Sequence, residues 1–203
     1  MRPHIGAALA VVPFALVLLY ASIAQATPAR VVVRAAAASP ASAHAAASAC
    51  PGANLRPNGA NAATIDAATL CLIDRARAAH HLRPLKTNRE LHAVAVSQVK
   101  DMVRLDYFAH NRPSGETPAA LIAATHYGRH TRRLSTAENI GWGTGRYATP
   151  AQMVTAWMQS PPHREAILTG EYREAGVGAT PAVPSHLAEG QAGATYALEL
   201  ARR

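Results

Sequence analysis

The chain reads as an α+β domain in which several helices cover a small, largely antiparallel sheet. Three observations predict this. Segments with helical periodicity and strong start signals come early, short strand-like segments come late, and the two kinds do not alternate as βαβ units would. The folding region, residues 64 to about 201, suits one domain with one core.

The first helix is expected over 66–81, with Ile65, Thr69, Leu72, Ala76 and Ala79 on one stripe and an exit through His80-His81-Leu82-Arg83-Pro84. The second starts at Thr87-Asn88-Arg89-Glu90. This is a capping-box pattern, in which a threonine and a glutamate three residues on satisfy each other's free backbone donors. Leu91, Val94, Ala95, Val99 and Met102 then face inward. The third follows Thr117-Pro118, a cap with proline at the first helical position, and runs through Leu121 and Ile122 to a stop near Gly128. The fourth combines both start signals in Thr149-Pro150-Ala151-Gln152, and its apolar face is Met153, Val154, Trp157 and Met158. It ends in Ser160-Pro161-Pro162-His163, a stiff corner because each proline fixes φ, and a short helix continues to Leu168. Strands are expected at 140–142, 175–179 and 194–200. Trp142, Trp157 and Phe108 are expected in the core, with one of them available to line a cleft.

What precedes the domain is of a different kind. Residues 1–26 have the form of a secretory signal peptide: Arg2 and His4, an apolar run from Ile5 to about Tyr20, and Ala24-Gln25-Ala26 as a small-x-small site with cleavage after Ala26. An uncleaved anchor is the alternative, because Ile5 to Ala26 is almost long enough to span a bilayer. Pro13 and the Ala-x-Ala pattern favour cleavage. No transmembrane segment is expected after it, so a secreted, extracellular product follows. Residues 27–63 form a low-complexity Ala/Ser/Pro tether and then a Pro/Gly/Asn loop, too poor in large side chains to offset the entropy of ordering. Residues 64–203 are the folded domain.

Removing the leader takes only Arg2 from the charge count, so the formal charge falls from +8 to +7. That balance favours an anionic cell-envelope surface as partner. Nucleic acid is not expected: the basic residues are scattered, only two Phe are present, and no nucleic-acid-binding motif occurs. The densest cluster, Arg129-His130-Thr131-Arg132-Arg133, reads as a solvated loop. Cys50 and Cys71 are the two cysteines, and in an exported chain an isolated pair forms one structural disulfide.

The order and spacing of several short pieces are more specific than any one of them. They are Leu72-Ile73-Asp74-Arg75-Ala76-Arg77, Leu85 with Asn88, Asp101-Met102-Val103, Tyr107-Phe108-Ala109-His110, and Glu138-Asn139-Ile140-Gly141-Trp142-Gly143. Ala156-Trp157-Met158 with Ser160-Pro161-Pro162-His163-Arg164 and Ile167-Leu168 follows, then Arg173-Glu174-Ala175-Gly176-Val177-Gly178. Together they resemble the CAP superfamily (cysteine-rich secretory proteins, antigen 5 and pathogenesis-related proteins, sharing the SCP domain) in its short bacterial form. The resemblance spans residues 66 to about 200.

It implies a three-layer α-β-α sandwich with a central cleft. In many members two histidines and two acids line that cleft and can hold a divalent metal. His110 matches the first histidine, Glu138 the acid of the Gly-Glu-Asn motif and His163 the second histidine; the remaining acid position falls on Ser160. Three further departures stand out. Ala137 replaces the glycine before Glu138, Pro162 replaces the glycine before His163, and the last strand lacks the polar-aromatic-glycine ending of relatives.

His110, Glu138 and His163 would make a His₂Glu shell for a divalent metal such as zinc, with open positions for water or a ligand. With zinc such a site supports hydrolysis; without metal, Glu138 is the candidate base and His163 the candidate proton donor. The leading expectation is a non-enzymatic exported protein that binds a lipid, small amphiphile or peptide in a cleft lined by His110, Glu138, His163 and Ser160, with or without a metal. The alternatives are a metal-assisted extracellular hydrolase acting on peptide or cell-wall material, and a structural or host-interaction factor with a vestigial cleft. Ser160 reads as a helix-terminal polar residue rather than a nucleophile. His80, His81, His92, His126, His130 and His186 read as surface or loop residues.

Overall fold

A computed structural model describes residues 50–203, so the expected signal peptide and most of the tether lie outside the described residues. Alternation along the last strand sets out the architecture. In β4 (Gly193–Arg202) the side chains of Tyr196, Leu198 and Leu200 join one apolar cluster, while Ala197 and Ala201 join others on the opposite face. β4 pairs antiparallel with β2 (Ser135–Thr144) on one side and with β3 (Glu174–Thr180) on the other. The two-residue β1 (Lys86–Thr87) runs parallel to β3, giving the order β1-β3-β4-β2. The sheet is therefore mixed, with antiparallel pairing prevailing as expected.

One face carries the large side chains. Leu72 and Ile73 of α1 (Ala62–Ala79), Met153, Val154 and Trp157 of α5 (Pro150–Gln159), and Ile167 of α6 (Pro161–Leu168) pack on Tyr196, Leu198 and Leu200. The other face carries small ones. Ala95, Val99 and Met102 of α2 (Arg89–Arg104) meet Ile140 and Ala197, and Leu91 and Val94 meet Ile122 and Tyr127. A Cβ at Gly176 would strike the α2 backbone at Leu91-His92, and one at Gly178 would strike it at Ala95-Val96, so the helix lies directly on β3. Helices on both faces of one sheet make the three-layer sandwich.

Several local expectations are corrected. The cap of α2 is Asn88, whose side chain accepts from Glu90 N and Leu91 N; Thr87 is already in β1, so no Thr–Glu capping box forms. Glu90 instead accepts from Tyr127 N. The third helix breaks at Thr125 into α3 (Pro118–Ala124) and α4 (His126–Arg129), because the Thr125 hydroxyl accepts from Gly128 N and starts a new cap. On α1 the inward stripe ends not in Ala79, which is exposed, but in Arg77. That guanidinium donates to the carbonyls of Arg83, Ile167, Thr169 and Tyr172, closing the C-terminal end of α6 with a fixed charge. Trp142, expected in the core, is 37% exposed, because the apolar row of α2 reaches Ile140 and stops one alternation short of it. The Cys50–Cys71 disulfide forms as expected, with Cα atoms 5.8 Å apart, and ties the preceding loop to α1.

His92 is also more than a surface residue. Lys86 N and Asn88 N donate to Arg173 O and Ala175 O, and His92 Nδ1 lies 2.6 Å from Val177 O, continuing the row after β1 has ended. Asp66 sits 3.6 Å from the same ring nitrogen. Half-buried, it is pushed up to about 6, chiefly by burial, against the opposing pull of His92 and a hydrogen bond from the Ala179 backbone.

Candidate functional site

The expected site residues gather at the free edge of β2. Antiparallel pairing with β4 turns alternate β2 side chains to opposite layers. Glu138 and Ile140 face α2, whereas Asn139 faces α6. The dipeptide Glu138-Asn139 therefore straddles the sheet and reaches a different histidine on each side.

On the α2 side, the chain leaves the helix through Asp106 in a left-handed turn and brings round Tyr107-Phe108-Ala109-His110. Gln98, fully buried on α2, donates from Nε2 to Ala109 O at 3.1 Å and to His110 O at 3.0 Å. That fork holds the loop so that His110 Nδ1 comes within 2.5 Å of Glu138 Oε2. The Glu138 side chain is only 2% exposed, while that of His110 is 52% exposed. On the other side, Asn139 Nδ2 donates to His163 O at 3.0 Å. His163 is the third residue of α6, directly after the two prolines, and its Nδ1 lies 2.7 Å from Ser160 Oγ. Ser160 occupies the cap position of α6, but no bond joins its side chain to the helix backbone there; the hydroxyl is spent on the imidazole instead. Ala137, where relatives carry glycine, sits in extended β2 and needs no positive φ.

The two imidazoles are driven apart electrically. The hydrogen bond to Glu138 raises His110, with burial opposing. Burial lowers His163, and the nearby His110 charge lowers it further. His110 is thus the imidazole that keeps a proton to higher pH, and His163 the one that gives it up sooner.

The sequence reading missed Glu199. It stands opposite Glu138 across the β2–β4 pair and is 0% exposed. Glu138 Oε1 and both Glu199 oxygens are buried without a hydrogen-bond donor from another residue. Burial first, then the Glu138 charge, push the Glu199 carboxyl well above the usual carboxylate range. A proton kept on Glu199 answers both orphaned groups, since the acid then becomes a donor to Glu138. Leu198-Glu199-Leu200 did carry a signal: one acid inside an apolar strand, with no partner in the local sequence.

Of the remaining histidines, His126 approaches Glu90 at 3.9 Å and His186 approaches Asp106 at 3.1 Å, both on the surface. Among the described residues no three His, Cys, Asp or Glu side chains are grouped so as to hold a metal ion. The bonding explains this, since His110 is paired with Glu138 while His163 is turned to Ser160. The His₂Glu shell is not gathered, the residues as arranged do not fit a metal, and no chemical step is derived through one.

With the geometry in place, comparison with known proteins is decisive on kinship. The profile of the CAP, or cysteine-rich secretory protein, family matches residues 70–182, more than half of the chain and a span that includes His110, Glu138 and His163. The chain belongs to the CAP family. YkwD, an uncharacterised protein of Bacillus subtilis, is 32% identical to this CAP protein over 97 residues, 48% of this chain and 35% of YkwD. The chain thus spans about a third of that relative. An extracellular SCP-domain protein of Bacillus anthracis superposes with a TM-score of 0.56 at 20% identity, covering 72% of this chain and 45% of that one. A cysteine-rich secretory protein of Staphylococcus aureus gives 0.51 at 20% identity, over 72% and 40%. At those identities the likeness shows the CAP fold alone.

Proposed function

We propose that this CAP domain is an exported, non-enzymatic binding module whose ligand docks at the β2 edge, between His110, Glu138, His163 and Ser160. The observation that carries the reading is the His110–Glu138 pair, a half-exposed imidazole held by a buried carboxylate. Such a pairing favours the cationic form of the imidazole at a fixed point, with the His163 ring and the Ser160 hydroxyl as further polar groups. That set suits an anionic or strongly accepting group, such as a peptide carboxylate or the head of a small amphiphile. Export is supported by the Cys50–Cys71 disulfide, which needs an oxidising compartment, and by the signal-like residues 1–26. Catalysis is less well supported. The Nδ1 of His163 is spent on Ser160, and among the described residues no carboxylate bonds the ring to orient it as a base.

The test is a titration of the exported chain, residues 27–203, followed by NMR of the histidine rings. The probes are an N-acetylated tripeptide with a free carboxylate, its C-terminal amide, and octanoate. The carboxylate probes should shift His110 and His163, the amide should not, and His110→Ala should abolish the response. Absence of any shift would overturn the binding reading. Cleavage of the peptide that disappears in Glu138→Gln would replace it with the hydrolase.

A further inference from the structure

A second surface, built from other residues, has the chemistry of a membrane dock. Arg129, Arg132 and Arg133 are all exposed, and none has a carboxylate partner among the described residues. They stand on α4 and the turn after it, together with the exposed His130, whose ring lies 4.3 Å from that of His126. Arg203 reaches the same place, its guanidinium 4.8 Å from the centre of the Tyr127 ring, although Glu174 partners it at 3.6 Å. The acids within this region are both engaged, Glu90 by Tyr127 N and His126 and Glu174 by Arg203. Three free guanidiniums beside two histidines make a cationic face with almost no compensating charge.

The same corner carries an open groove of about 390 Å³ between α2 and α3–α4. Ala93, Val94 and Leu121 line it, and Glu90, Arg112 and His126 stand among its polar residues. Arg112 is tied to Ser97, Gln98 and Asp101, which leaves the free guanidiniums of the turn to meet an incoming anion. α4 joins the two features, since His126 at its start lines the groove and Arg129 at its end opens the run of free guanidiniums, and the pair is complementary to a phosphate group attached to hydrocarbon. A phosphate polymer would use the rim and have no use for the groove. Nucleic acid would call for exposed aromatic rings to stack on, and Tyr127, the aromatic residue of this corner, is buried.

We infer that this face docks the protein on a bilayer containing anionic phospholipid, with headgroup phosphates on Arg129, Arg132 and Arg133 and the apolar part of a lipid against Ala93, Val94 and Leu121. The interaction stands independently of any ligand at the β2 edge. It also gives the positive charge of the chain a place and a partner.

Vesicle co-sedimentation tests it, using the chain from Thr27 onward, so that the apolar run of residues 5–20 does not bind lipid by itself while every described residue is kept. Binding is expected to mixed phosphatidylglycerol/phosphatidylcholine vesicles and not to phosphatidylcholine alone, and it should be lost at high salt. The triple variant Arg129→Gln/Arg132→Gln/Arg133→Gln alters exposed side chains and should bind about 100-fold more weakly, as three basic residues leaving an anionic surface imply. Ala93→Glu, at an exposed position in the groove, should weaken vesicle binding with unchanged circular dichroism. His110→Ala should leave it intact, which separates this result from the fate of the β2-edge site. Equal binding to both kinds of vesicle, or wild-type binding by the triple variant, would overturn the inference. So would binding to soluble polyphosphate as tight as to vesicles, with Ala93→Glu silent, since the partner would then be a polymer.

Discussion

The two faces of the sheet are built on opposite principles. Against α1, α5 and α6 the strands present Tyr196, Leu198 and Leu200, and the layer is filled by Trp157, Ile73 and Ile167. Against α2 the same strands present Gly176, Gly178, Ala197 and Ala201, with two glutamates among them. The first face gains stability from area removed from water. The second gives up part of that gain to bring a helix close and to bury polar groups at the edge where His110 arrives. Stability and chemistry are therefore separated by one strand thickness, and a substitution can be assigned to either by the parity of its position.

The comparison breaks most visibly on the apolar face. Trp157 is 2% exposed and its Nε1 donates to Ile140 O, so Trp157→Ala should cost about 3–5 kcal/mol, read by urea unfolding. His110–Glu138 contact chemistry should survive in whatever fraction remains folded. If the loss were under ~1 kcal/mol, that layer would not be the main source of stability. Next comes the link between loop and α1. Cys50→Ser/Cys71→Ser should cost about 3 kcal/mol in the chain-entropy account and lower Tm without altering the histidine titrations.

On the polar face the expected signs change. A carboxyl whose folded pKa is raised loses stability for the protein as pH rises from the unfolded value toward the folded one. Glu199 is such a group, and Gln in its place has no proton to lose and brings an N–H for Glu138 Oε1. Glu199→Gln should therefore be the more stable protein by at least the ~1 kcal/mol of one hydrogen bond near pH 8, with the margin shrinking toward pH 4. Chemical denaturation across that range decides it, and a variant less stable than wild type at pH 8 would remove the shared-proton picture.

The smallest effects belong to the histidines, and they tilt in opposite directions. His110 is raised, so its contribution is present below ~6.5 and fades as pH rises through its folded value. His163 is lowered, so the stability that its neutral form confers is present above ~6.5 and is lost as pH falls through the folded value. In wild type the two slopes oppose each other. His110→Ala should expose a loss of Tm on acidification, and His163→Ala a loss on going alkaline. Profiles of the two variants that coincide would mean that the rings do not differ in environment.

Much of this was legible beforehand for a definite reason. The side-chain oxygens of Thr117 and Thr149 each accept from a backbone N–H three residues on, and proline follows each directly, so both helix starts are written within four residues. His110, Glu138 and His163 were recognisable because their neighbours recur as a set, and the fold brings His110 onto Glu138 and Asn139 onto His163 O. Thr87 was misread because Asn88, one residue on, offers the better cap once β1 claims the threonine. Trp142 was misread because an apolar residue in a strand says nothing about where the covering helix ends. The partners of Arg77 and Glu199 were invisible, even though Glu199 stands out inside an apolar strand, since a charge is buried only when distant backbone or side chains receive it.

By itself the sequence determined what acts over a few residues: the helix starts, the stiff Ser160-Pro161-Pro162-His163 corner, the strand alternation and the family to which these belong. Tertiary structure alone decided that Glu199 lies beside Glu138, that Arg77 closes α6, and that a groove lined by Ala93, Val94 and Leu121 opens where α4 begins. Caps and periodicity are set by neighbours along the chain. The protonation of a carboxyl is set by whatever strand pairing brings next to it, and that neighbour is not adjacent in the sequence.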